Sequence, residues 1–279
     1  MELKYSIEDY ENIPGLYREW DKNNPFLLPV FFQKECLINF FYNPIYKCEL
    51  FSETYGDVSN EKFTIPFGIN RNNKVFFWLG DLKELPEKEL SLLAPFNIES
   101  DHDIVSEFYD AQINANFTDP IKEVNLLLQK NLINKKFGMS VFANSEENID
   151  NVINKSAKYK RIMFSREDDF KRIISELSEE IIESIDKNAI LSKVTDGTGL
   201  GGIKLFEKYI KDNYKITDNI FNAYYVLYDL RIWADHKDGN IKFNSSLERL
   251  ELKENSSYEE IYKKLVDELF EANDKLLNL

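Results

Sequence analysis

Histidine and cysteine are the scarcest chemistry-bearing residues in this chain, at two each among 279. Two cysteines, Cys36 and Cys48, are too few for a disulfide framework, and with His102 the one imidazole near them they make no convincing zinc set. Reduced thiols in or near a core are expected. Proline is absent after position 120, although all eight prolines lie at or before it, so the architecture changes near Pro120. No apolar run reaches the roughly 18–20 residues of a membrane span, and the first residues carry no signal-peptide pattern, so no membrane association and a cytoplasmic location are expected. Basic charge is also short: 35 Lys and Arg against 49 Asp and Glu give a net charge of −14. Such a field opposes non-specific nucleic-acid binding unless a local basic patch outweighs it.

What is present is core material. Apolar residues make up 43% and aromatics 14%, with 30% charged, which describes a folded protein and not a disordered acidic chain. The length exceeds the usual single-domain mode of roughly 100–150 residues, so two cores are expected.

Short aromatic or β-branched runs at 26–32, 46–51, 62–69 and 74–79 read as strands, with short helices at 33–42 and 87–93. Beyond Pro120 the pattern takes a helical period. Val124, Leu127 and Leu128 open a helix that leads into a polar stretch at 144–154, a candidate linker. Ser165 with Asp168 resembles a capping box, ahead of Phe170, Ile173, Ile174, Leu177, Ile181 and Ile185 on one helical face. Ser257 with Glu260 repeats the box before Ile261, Leu265, Leu269, Ala272 and Leu276. Between them Thr217 is placed to cap a helix bearing Ile220, Ala223, Tyr224, Leu227, Leu230 and Ala234. The fold expected is α+β: a mixed strand and helix domain at 1–120, a helix and linker at 121–164, and an all-α bundle at 165–279.

The candidate catalytic residues are Arg231 and His236. A guanidinium can hold a phosphate, and an imidazole titrates near neutral pH, so together they suit metal-free RNA cleavage. Positions five apart on an ideal helix diverge by about 140°, so the helix must break before His236 for the two to share a site, unless a second protomer supplies a partner. The plain alternative is an ordinary ion pair between Arg231 and Asp235, four residues apart.

The Arg-x4-His pattern at a helix end in a small bundle resembles the motif of the HEPN superfamily, many of whose members are metal-independent ribonucleases of toxin and antiviral systems. The resemblance implies a homodimer in which Arg231 holds the scissile phosphate and His236 acts as base or acid, while the RNA 2′-hydroxyl attacks and leaves a cyclic phosphate. It implies no cofactor and no metal. The chain departs from the commonest form in carrying Ile232, not a polar residue, directly after the arginine. From about Pro25 onward the chain is also similar to a widespread bacterial family, through Leu28-Pro29-Val30-Phe31-Phe32, Phe77-Trp78-Leu79-Gly80-Asp81-Leu82 and the Arg231 segment. Many members have a longer N-terminal extension.

The leading expectation is an RNA-cleaving effector of a bacterial toxin or anti-phage system, working on an RNA substrate as a homodimer. The rival is a non-catalytic interaction or dimerisation module of a defence or regulatory complex, with a partner protein. A third is a metal-dependent hydrolase using Asp101, His102 and Asp103. The glycine-rich run from Asp196 to Gly202 meets neither the dinucleotide nor the P-loop pattern and reads as a turn. Gly80-Asp81 is either a strand-end carboxylate or a turn. The aromatic runs of the first half read as core, because stacking platforms for bases need basic companions.

Overall fold

The computed structural model describes residues 2–11, 25–116, 120–145, 148–156, 162–214, 216, 219–235 and 240–279. The chain divides into two compact units, Met1–Ile121 and Lys122–Leu279. The first carries an antiparallel sheet and the second is helical, which makes the protein α+β.

The first unit opens with α1 (Ile7–Glu11) and holds β1 (Pro29–Gln33), a 3-10 turn at Lys34–Leu37, α2 (Ile38–Phe41), β2 (Lys47–Leu50), β3 (Tyr55–Ser59), β4 (Thr64–Ile69) and β5 (Lys74–Trp78). Then come α3 (Leu79–Glu84), α4 (Glu87–Leu93) and α5 (Glu107–Ile113). Strand order is β1-β5-β4-β3-β2, so β2 to β5 form a meander and β1 closes the far edge against β5. Phe31 stands opposite Phe76 and Gly68 opposite the same Phe76, which puts these residues on one sheet face. There Phe31, Phe76 and Trp78 pack on Phe108 of α5 in a fully buried aromatic cluster. The other face buries Phe32, Phe67 and Phe77. Because both faces are covered, the strands read as continuous aromatic runs and not as alternation.

β3 was not expected, since Tyr-Gly-Asp-Val-Ser has neither an apolar run nor strong β-propensity. Gly56 explains its place: a Cβ there would lie 2.2 Å from the Glu49 carbonyl oxygen on the neighbouring strand. α5 is capped by Ser106, which accepts from the Tyr109 N–H, and not by Asp103, whose carboxylate instead accepts from the Val105 N–H.

The second unit contains α6 (Lys122–Phe137), α7 (Ile149–Ser156), α8 (Glu167–Ser178), a π-helical turn at Glu179–Glu183, α9 (Lys187–Leu191), α10 (Gly202–Tyr214), α11 (Asn222–Asp235), α12 (Asn240–Arg249) and α13 (Tyr258–Leu277). Part of the polar stretch at 144–154 is therefore helical, in α7, and α6 packs along α13. That seam is partly polar: Tyr262 donates to Glu123 at 3.0 Å, Gln129 to Asp274 at 2.7 Å, and Lys122 pairs with Asp267 at 2.5 Å. The expected apolar faces of α8 and α13 are buried. The Ser257–Glu260 capping box is present with both of its reciprocal bonds. The Ser165–Asp168 box is not: Arg166 takes the N-cap position of α8, and the Ser165 hydroxyl accepts from the Tyr258 N–H at 2.9 Å, joining the starts of α8 and α13. Thr217 lies outside the described residues. Among the described residues no helix is long and apolar enough to cross a membrane.

Candidate functional site at the end of α11

α11 is the most thoroughly packed helix of its unit, burying Ala223, Tyr224, Val226, Leu227, Leu230 and Trp233. Its apolar arc is wide because Trp233 lies between Phe170 of α8, Phe243 of α12 and Tyr258 of α13. Lys171 sits 4.9 Å above the Trp233 ring, a cation–π contact that closes the stack toward solvent. Asp229 is buried on the same helix and is compensated twice, by Lys242 at 2.8 Å and Arg249 at 3.2 Å. Arg249 also donates to Asn222 at 3.0 Å, so α12 is fastened to both the start and the middle of α11. Asp229 serves helix packing in this arrangement.

Arg231 follows on the last turns of α11, with 28% of its side chain exposed. Its guanidinium pairs with Asp235, one turn further along, as the plain reading of the spacing expects. A second carboxylate, Glu183, lies 3.9 Å from the other terminal nitrogen. The Nε and Nη1 atoms are buried and make no hydrogen bond among the described residues, so Asp235 holds the guanidinium as an ion pair alone. His236 lies outside the described residues.

Glu183 could not be read from the sequence as a neighbour of Arg231, because a π turn sets its direction. α8 does not run on through Ile185 as one helix; it loosens at Glu179–Glu183. The cause is competition for one carbonyl. The Glu180 C=O accepts from Lys130 Nζ at 2.9 Å and from the Ser184 hydroxyl at 2.5 Å. Lys130 also pairs with the Glu180 carboxylate, and it lies 5.6 Å from the Phe142 ring centroid. Lys155 reaches the same carboxylate at 2.9 Å. A buried lysine thus anchors the turn that presents Glu183 to Arg231, and π turns of this kind recur at functional positions.

The other candidates resolve into structural roles. Asp101 accepts from the amides of Asn70 and Asn72, Asp103 pairs with Arg71 at 3.0 Å, and His102 turns to Asp9 at 2.6 Å. These three side chains engage different partners and do not converge, and no group of three His, Cys, Asp or Glu among the described residues could hold a metal ion. This removes the basis of the metal-dependent hydrolase. Before α10, Gly199 takes a φ of +83° and Gly197 is pressed against Leu205, Val194 and Leu191, which accounts for two of the loop's glycines by turn geometry and packing. Asp81 lies in the first turn of α3, its carboxyl pushed up to about 6 by burial and then by Glu84. Cys36 and Cys48 are free thiols, both buried, and burial pushes the Cys36 thiol well up. No protein-family model matches the chain, and no curated protein or solved structure matches it.

Proposed function

We propose that the helical unit is a non-catalytic interaction module that self-associates through the outer side of α11 and α12. The observation that carries this reading is the state of Arg231, whose guanidinium is paired to Asp235 with Glu183 close by. An arginine so occupied serves the fold, and a polyanion approaching it would meet two carboxylates first. The outer side of α11 has the character of a surface that awaits a partner. Tyr228 is 47% exposed and Ile241, at the start of α12, is 83% exposed. Tyr225 and Ile232 lie half-buried on the same helix, so α11 has little polar face to offer water. A second copy is the simplest occupant, since Arg231 and Asp235 on one stripe are self-complementary about a two-fold axis.

A second reading draws on one observation, the buried Arg231 Nε without a hydrogen-bond partner. A guanidinium edge left open in this way supports the HEPN-type reading, in which Arg231 of a dimer holds an RNA phosphate and His236 moves the proton. Both readings belong in the cytoplasm. One experiment separates them: purified protein with single-stranded and structured RNAs in EDTA, wild type beside His236→Ala, and sedimentation velocity beside Tyr228→Lys and Ile241→Lys. The module reading expects no cyclic-phosphate products from either protein, and a dimer that the two lysine variants dissociate. Cutting by wild type that His236→Ala abolishes would overturn it in favour of the ribonuclease.

A further inference from the structure

The start of the chain is fastened to the 97–102 segment by a closed set of polar contacts that the packing of the sheet does not require. The Lys4 N–H donates to Asn97 Oδ1 at 2.6 Å, while the Asn97 amide donates to the Lys4 carbonyl at 3.2 Å and to the Phe31 carbonyl of β1 at 2.9 Å. Lys4 Nζ adds an ion pair with Glu99 at 3.2 Å. Five residues on, Asp9 of α1 is only 4% exposed although it carries a carboxylate. One of its oxygens accepts from the Ser100 hydroxyl at 2.6 Å, and the other lies 2.6 Å from His102 Nδ1. The Ser100 hydroxyl oxygen in turn accepts from the His102 N–H at 3.0 Å. His102 adopts a φ of +59°, a left-handed conformation that costs a non-glycine residue energy and that turns its ring toward Asp9.

We propose that Asp9 and His102 form a proton-operated clasp, which holds residues 2–11 on the 97–102 segment while the imidazole is charged and loosens them when it is neutral. A buried carboxylate needs compensation, and among the described residues its side-chain partners are one hydroxyl and one ring nitrogen. With the imidazolium in place Asp9 faces a full positive charge; with neutral imidazole it keeps at most a neutral N–H donor. The surroundings sharpen the difference, since the other charged groups acting on His102 are the carboxylates of Glu8 and Asp101. Among the described residues no cation acts on His102 to take over when the proton leaves. Lys4 is bound to Glu99, and Arg71 to Asp103.

The direction of the pH response follows. The hydrogen bond to Asp9 and then its charge raise the His102 pKa above 6.5, against a small opposing effect of burial. The clasp is therefore at full strength below about pH 6.5 and weakens as pH rises through the higher folded value. The switch therefore lies above the ordinary imidazole value. It is independent of the α11 reading, which concerns the other unit.

Hydrogen exchange of the full chain, analysed by peptide and corrected for intrinsic rate, tests the clasp between pH 6 and 8.5. Amides of residues 7–11 are expected to lose protection by about threefold or more across that range in the wild type, while β4 and β5 keep theirs. His102→Gln can still donate an amide hydrogen to Asp9 but has no proton to lose, so its α1 protection is expected to be independent of pH. Asp9→Asn should give low protection of residues 7–11 at both ends of the range. A wild-type profile that is flat in pH, or the same slope in His102→Gln, overturns the proposal. Unchanged β4 and β5 protection in each variant establishes that the unit remains folded.

Discussion

Replacement of Lys130 by methionine removes one charge from the interior of the helical unit and tests the account of the π turn directly. Lys130 is 1% exposed, and its ammonium serves both the carboxylate and the backbone carbonyl of Glu180. Breaking a buried pair by deleting one partner costs about 3–5 kcal/mol, because the remaining charge stays buried without full compensation. Glu180 keeps Lys155 at 2.9 Å, and Lys155 is itself partly exposed, so the lower figure of about 3 kcal/mol applies. In a unit of roughly 160 residues this lowers the midpoint of thermal unfolding by about 6–12 °C. Scanning calorimetry measures it, and the double variant Lys130→Met with Glu180→Leu should recover most of the loss, since it removes both buried charges together. A loss below about 1 kcal/mol in the single variant would refute the reasoning, as would a double variant no more stable than the single. Either outcome would mean that the ammonium is not desolvated in the folded protein, and that something other than Lys130 holds the turn that carries Glu183.

Two further perturbations concern the sheet. Gly56→Ala places a methyl group against the Glu49 carbonyl oxygen and the Phe67 ring, and neither backbone nor buried ring can yield, so a loss of about 3 kcal/mol is expected in urea unfolding; a change below about 1 kcal/mol would show that β2 and β3 lie further apart. Asp57 stands opposite Glu49 in the β2–β3 register, and burial, then the Glu49 charge, push its carboxyl up to about 6 against the smaller pull of Lys47. The folded chain thus retains a proton that the unfolded chain releases near pH 4, so this residue makes stability fall as pH rises from about 4 to about 6. Asp57→Asn should gain about 1 kcal/mol at pH 7, after allowance for solvent screening of a partly exposed group, and nothing at pH 3.5; an equal effect at both pH values would sink the argument.

The break in architecture near Pro120, the long helices and most strands were legible in the sequence, and the reason is periodicity. Phe170, Ile173, Ile174 and Leu177 can share one face only on a helix, and Ser257 with Glu260 closes a local capping box that needs no distant partner. Proline confined to the first 120 residues likewise reports a local restriction, the loss of helix interiors there. Where a local pattern had a distant competitor, the local reading failed. Ser165 has the spacing of a capping box, yet its hydroxyl is taken by the Tyr258 N–H, more than ninety residues away. Asp103, just ahead of α5, is likewise engaged by Arg71, more than thirty residues away.

The Arg231–Asp235 pair belongs to the legible class, since four residues on a helix bring two side chains together whatever the rest of the chain does. Glu183 beside Arg231, Lys130 beneath Glu180, and Asp9 against His102 do not, for their separations of 48, 50 and 93 residues leave no periodic trace. Sequence by itself determined where the long helices and the apolar strands lie and which of their faces are apolar, because those properties follow from the spacing of side chains along the backbone. Tertiary structure alone decided which charges meet, because a buried carboxylate takes the compensating donor that folding brings within about 3 Å, however far away in the chain it lies.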